Sequence, residues 1–122
     1  MITIDSSRSI TALTRGVRAI LASGTLVLAT VSFAGTTTAM LRIDISKFAF
    51  EPMEVTVAPG TKIIWTNKDE TPHTVTSQDR TFTSKAMDTD DTYEYTFNRE
   101  GDFDYYCTVH PFMSGIVHVR NQ

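Results

Sequence analysis

Short runs in which apolar and polar residues alternate, each closed within a few residues by a turn signal, constrain this chain more than any other feature. "LRIDI" (Leu41–Ile45), "MEVTV" (Met53–Val57) and "DFDYYC" (Asp102–Cys107) alternate with period two. "TYEYTFN" (Thr92–Asn98) sets Tyr93, Tyr95 and Phe97 on one face and Glu94 and Thr96 on the other. "TKIIWTN" (Thr61–Asn67), "HTVTS" (His73–Ser77) and "GIVHV" (Gly115–Val119) are rich in β-branched or aromatic residues. Period two is the spacing of a strand with one buried face, and Pro59-Gly60, the polar run "NKDETP" and Gly101 supply the turns between such strands. Phe82 to Asp91 is polar and reads as an irregular crossover with a short helical turn. From residue 40 onward no segment sustains a helical apolar period. Seven or so strands in about 80 residues predict an all-β fold, a small antiparallel β-sandwich. Trp65, Phe97, Phe103 and Tyr105 are its expected core aromatics.

The first third of the chain reads differently. Arg8, Arg15 and Arg18 precede an uncharged, mostly apolar run from Ala19 to Phe33, and small residues follow, with cleavage possibilities after Ala34 or Ala39. That order describes a secretory signal peptide over residues 1–39, leaving a folded domain over residues 40–122. The alternative is a retained membrane anchor. The run is shorter than the roughly 20 residues that span a bilayer and is diluted by Gly24 and several Ser and Thr, so cleavage, with no span remaining, is the expectation. An exported protein follows, with the bacterial periplasm as its compartment.

Residues 40–122 hold thirteen acids against eight Lys and Arg, a net charge of about −5. Such a surface disfavours nucleic acid and suits a basic protein partner. Asp88, Asp90 and Asp91 read as a solvated turn. Small exported domains often rely on disulfides, yet Cys107 is the only cysteine, so its thiol needs another use.

Cys107 lies in "YYCTVHPFMSG", with His110 and Met113 following at intervals of three on the connection between two strands. Thiolate and imidazole are strong ligands for copper or zinc, a thioether is a soft and weak one, and His₂Cys with a long axial Met is a blue-copper arrangement. The second histidine must come from elsewhere. His118 sits within the last strand and points poorly back into the loop, whereas His73 lies where a loop becomes a strand, just after Pro72. His73 is therefore the better-placed ligand. A Cys107/His110 nucleophilic dyad leaves Met113 and His73 without a role, so an enzyme is not expected. A copper carrier or sequestering protein, holding the metal without shuttling electrons, is the alternative reading of the same soft ligands.

"WTNKDETPHTV" and "FDYYCTVHPFM" resemble the cupredoxins, and within them the amicyanin type, whose ligand loop has this short Cys-x₂-His-x₂-Met length. The resemblance runs from Phe50-Glu51-Pro52 to Val119. It implies a Greek-key sandwich holding one type 1 copper, with His73, Cys107, His110 and Met113 as ligands and one-electron transfer as the function. Thr74 stands where most of the family have Asn, whose side chain ties the two ligand loops together. By the same resemblance the ring edge of His110 reaches solvent, with Pro111 and Phe112 beside it and Met53 or Met87 extending an apolar docking patch. The expected partners are redox proteins such as a c-type cytochrome or a dehydrogenase, met by a monomer.

Overall fold

A computed structural model describes residues 35–121, with Gly24, Ala29, Val31 and Ser32 before them. The leader expected over residues 1–39 falls, up to residue 34, outside the described residues apart from those four. Every strand among the described residues lies in the unit Ala34–Gln122. The strands are β1 (Met40–Ser46), β2 (Ala49–Glu51), β3 (Glu54–Val57), β4 (Thr61–Asn67), β5 (Thr76–Ser77), β6 (Thr92–Phe97), β7 (Gly101–Tyr106) and β8 (Ser114–Val119). They form two four-stranded sheets, ordered β2-β1-β4-β6 and β3-β8-β7-β5. No helix among the described residues is long and apolar enough to cross a membrane.

The expected all-β sandwich is what the chain forms. Its sheets are mixed, however, because β1 runs parallel to β4 and β3 parallel to β8. After the β1–β2 hairpin the chain crosses to the second sheet as β3, then returns as β4 alongside β1. A strand that re-enters its sheet after such a crossover can pair in parallel. The connection Ala58–Thr61 behaves as its sequence predicts: Gly60 has φ +89°, and Thr61 N–H donates to Ala58 C=O at 3.2 Å, a type II turn with Pro59 in first central position.

The segment between β5 and β6 corrects the expectation of a short helical turn. It folds back as isolated bridges, Thr83 against Thr76 and Met87 against His73. The strand expected over His73–Ser77 is correspondingly reduced to two residues, and its first part is held by this return segment.

Inward residues of the two sheets close the core: Ile43, Ile45, Ile63, Trp65 and Phe97 face Val55, Val57, Phe103, Tyr105, Val117 and Val119. Trp65 is fully buried, stacked on Phe82 at 5.8 Å and met edge-on by Tyr105 at 5.5 Å. Gly115 permits this packing, since a Cβ there would lie 2.4 Å from the Tyr105 ring and hydroxyl. The aromatic core therefore fixes the β7–β8 pair, from whose end the Cys107–Met113 loop projects.

His118 lies on the outer face of β8 and ties three strands. Its Nδ1 bonds Asp102 on β7, and its Nε2 bonds Glu54 on β3 at 2.9 Å. The Arg120 guanidinium also reaches Asp102. The hydrogen bond to Asp102, then that to Glu54, raise the His118 pKa. A raised folded pKa gives stability that is fully present below the unfolded value of about 6.5 and lost as pH rises through the folded value. Thermal melts should accordingly decline with rising pH above 6.5 in the native protein, by a small margin because the cluster is solvent-exposed. The same series on His118→Gln should lack that decline, and parallel curves would rule the cluster out as its source.

Candidate metal centre

Three donor atoms converge at one end of the sandwich. Cys107 Sγ lies 3.9 Å from His73 Nδ1 and 3.8 Å from His110 Nδ1, and the two nitrogens are 3.2 Å apart. A triangle with these sides has a point about 2.1 Å from all three corners, within the ~2.0–2.3 Å at which imidazole nitrogen and thiolate sulfur bind a metal such as zinc. The donor set therefore fits a first-row metal ion without rearrangement. His73 and Cys107 are fully buried and His110 is half-buried, so the centre is enclosed on all but one side.

Local backbone chemistry sets these positions. Cys107 directly follows β7, and its N–H donates to Met113 C=O at 3.1 Å, extending the β7–β8 ladder by one pair. Met113 N–H donates to His110 C=O at 2.9 Å, which makes "HPFM" a β-turn with Pro111 in the position its ring favours. The three-residue spacings are thus the spacings of a closed hairpin end. Met113 is buried in the core cluster alongside Cys107. His73 arrives from the other loop, paired with Met87 through both backbone hydrogen bonds, at 3.2 and 2.8 Å.

Surrounding groups orient the donors. Thr74 N–H donates to Cys107 Sγ at 3.3 Å. The Thr74 hydroxyl accepts from Thr108 N–H at 2.7 Å and bonds the Thr108 hydroxyl at 2.8 Å. Thr74 therefore joins the two loops across the site through both the backbone N–H and the hydroxyl of Thr108. His73 Nε2–H donates to Asp69 Oδ2 at 2.9 Å, which leaves Nδ1 free to ligate. Partial burial opposes ionisation of Asp69, but the N–H groups of Phe48 and Lys47 and the His73 ring outweigh it and hold its carboxyl below the ordinary range.

Several groups around the site give no signal in the sequence. Lys47 and Phe48 both adopt left-handed backbone, φ 52° and 57°, in the two-residue turn between β1 and β2. Side chains other than glycine lose roughly 1–2 kcal/mol per residue there. The Asp69 carboxylate offsets that by accepting Lys47 N–H at 2.7 Å and Phe48 N–H at 2.9 Å. The turn sets the Phe48 ring edge-on to both imidazoles, 5.3 Å from His73 and 5.1 Å from His110. Asn67, fully buried, organises the loop that carries Asp69 and His73.

The expected docking residues Pro111 and Phe112 are exposed, Phe112 at 73%, and Val109 joins them at the surface. Met53 is also exposed, but Met87 is buried and cannot extend a surface patch. Its side chain packs in the core while its backbone braces His73. His118 stands apart from the donor cluster, as expected, and Asp88, Asp90 and Asp91 form an exposed turn.

Residues 37–120 match the family model of copper binding proteins of the plastocyanin/azurin family. The chain is 37% identical over 83 residues to amicyanin from Paracoccus versutus, covering 64% of this chain and 63%, less than two thirds, of that protein. It is 35% identical over 107 residues to amicyanin-alpha from Methylorubrum extorquens, covering 84% of this chain and 87% of that one. The solved structure of a methionine-to-alanine variant of amicyanin with Cu(I) superposes with a TM-score of 0.63 at 31% identity, over 66% of this chain and 82% of the other. With the two-imidazole, one-thiolate triangle at the end of its sandwich, the chain belongs to the plastocyanin/azurin family of copper-binding proteins.

Proposed function

We propose that the protein is an exported one-electron carrier, with residues 1–39 as leader and residues 40–122 as the copper-binding domain. His73, Cys107 and His110 would hold the copper as strong ligands, with Met113 as the weak fourth. The observation that carries this reading is the donor triangle, whose equidistant point lies at bonding distance from a thiolate and two imidazoles. Bound there, copper supplies a one-electron couple between Cu(II) and Cu(I).

The protein's own part is to hold the donors still and to keep solvent away. Backbone pairing on both sides of His73 and the Cys107–Met113 closure resist movement when the charge changes. Buried Met113 and the Phe48 ring exclude water from two sides. The half-buried ring of His110 is the route by which an electron leaves or arrives. With these four groups around it, the metal would have no open position for bond-making chemistry, which suits a carrier rather than an enzyme. Partners are redox proteins, such as a c-type cytochrome or a dehydrogenase, that dock a monomer briefly in the periplasm. Pro111, Phe112 and the edge of His110 form the contact, of the small size usual for redox encounters.

Titrating copper-free protein with Cu(II), followed by visible absorption, electron paramagnetic resonance and voltammetry, tests this reading. An intense blue band saturating at one copper per chain, with a reversible couple, is expected. Tight Cu(I) binding without a blue Cu(II) form would establish the sequestering alternative instead. Phe112→Ala should slow bimolecular electron exchange by about tenfold, the worth of one exposed aromatic anchor, with the copper spectrum unchanged. An altered spectrum with unchanged exchange would remove Phe112 from the docking surface.

A further inference from the structure

Three backbone or ring N–H groups converge on the two oxygens of one carboxylate. Asp69 Oδ1 takes Lys47 N–H, and Oδ2 takes both Phe48 N–H and His73 Nε2–H, at 2.7, 2.9 and 2.9 Å. The donors come from separate parts of the fold, the β1–β2 turn and the loop that follows β4. A turn of this hand favours Asn-Gly, yet the sequence places Lys47-Phe48 there. Its payload is Phe48, 42% exposed, which meets both imidazoles at an interplanar angle of 89°.

We propose that Asp69 is a positioning residue that sets the copper's redox balance through His73 and, through the Lys47–Phe48 turn, seats Phe48 against the half-buried ligand His110. This deepens the copper-carrier reading and rests on it. A carboxylate that accepts the far N–H of an imidazole makes that ring a stronger donor to a metal on its other nitrogen. Its negative charge favours the more positive copper state as well. Asp69 therefore lowers the reduction potential. The second half follows from geometry: the carboxylate that polarises His73 also fixes the turn bearing Phe48, so donor strength at the buried imidazole and packing of the half-buried one depend on a single side chain.

Asp69→Asn separates these functions from the ligand set. The amide keeps the shape of the side chain but loses the charge, and it has one acceptor oxygen for three donors. The blue band should persist, while the Cu(I)-to-Cu(II) preference rises about tenfold, an upward shift of about 59 mV for a one-electron couple. In the copper-free protein, the Lys47 and Phe48 amide protons should exchange at least about tenfold faster in the variant, because Asp69 is their partner. Asp69→Glu, which restores the charge, should recover part of the potential.

A potential unchanged to within a twofold ratio, with the blue band retained, would overturn the redox role. Unchanged amide exchange would overturn the seating of Phe48. Should Asp69→Asn fail to fold, the unaltered copper-free protein still decides the structural half: the two amides must be protected, and rapid exchange at both refutes it. The redox half is then read from Asp69→Ser, which also removes the charge: its potential must rise by more than a twofold ratio, and an unchanged potential with the blue band retained refutes it. Failure of the native protein to form a blue Cu(II) species would refute the copper-carrier reading, a result distinct from either outcome at Asp69.

Discussion

Cys107→Ser is expected to abolish the intense visible absorption of the Cu(II) protein, by at least about tenfold per bound copper, while the copper-free fold survives. The band depends on charge transfer from a thiolate, and no other thiol exists in the chain. Serine offers a hard, protonated hydroxyl in place of a soft anion, and its shorter reach opens the triangle in which Sγ stands 3.8–3.9 Å from each imidazole nitrogen. The Thr74 N–H now directed at sulfur from 3.3 Å would weaken against a smaller atom further away. None of this removes the aromatic core around Trp65, so circular dichroism of the apo variant should remain that of a folded β-sandwich. A colourless but folded copper protein confirms thiolate ligation. Persistence of the blue band would sink both the ligand assignment and the function built on it.

The residues that were legible in the sequence share one property: their geometry is decided within a few positions along the chain. Pro59-Gly60 dictates its turn through the φ preferences of two adjacent residues, and the structure has the left-handed Gly60 that a type II turn needs. The Cys107, His110 and Met113 spacings belong to one hairpin end closed by a β-turn. His73, which the structure brings into the donor triangle, follows Pro72 where a loop becomes a strand, a local signal in the sequence.

What was not legible depends on contacts between distant segments. β2 is three residues long, too short to establish a period, and exists through its pairing with β1. The parallel pairings β1–β4 and β3–β8 arise from the path between sheets, which alternation within a strand does not encode. Asp69 sat in a polar run that read as a plain turn, because its partners Lys47 and Phe48 lie 22 and 21 residues earlier. Phe48 likewise gives no local signal, since an exposed aromatic in a hairpin turn acquires a role from the imidazoles it meets. Met87 follows the same logic: a methionine within a polar crossover suggests a surface, but its backbone pairing with His73 turns the side chain inward.

Asn67→Ala is expected to be the most damaging single change outside the ligands, costing on the order of 2–4 kcal/mol and lowering the melting temperature by about 10–25 °C. Asn67 is fully buried at the end of β4, and its side chain is used at both ends. The Nδ2 group donates to Thr71 C=O and Met87 C=O, each at 2.9 Å, and Oδ1 accepts Asp69 N–H at 3.0 Å. Alanine would leave two carbonyls and one N–H short of these bonds, and a lost buried partner costs about 1–3 kcal/mol where water cannot replace it. The three released groups span the loop that holds Asp69 and His73 and the return segment that braces His73 from behind. Copper affinity should therefore fall together with stability, which distinguishes this site from a core truncation at the far end of the sandwich. Asn67→Asp provides the control for volume. It keeps the shape and the acceptor for Asp69 N–H, but it faces two carbonyl oxygens with a carboxylate that has no proton to donate near neutral pH. If hydrogen bonding organises this loop, Asp must be at least as destabilising as Ala at pH 7, and must recover as the carboxyl protonates in acid. A near-native melting temperature for Asn67→Asp at pH 7 would instead assign the effect to packing alone.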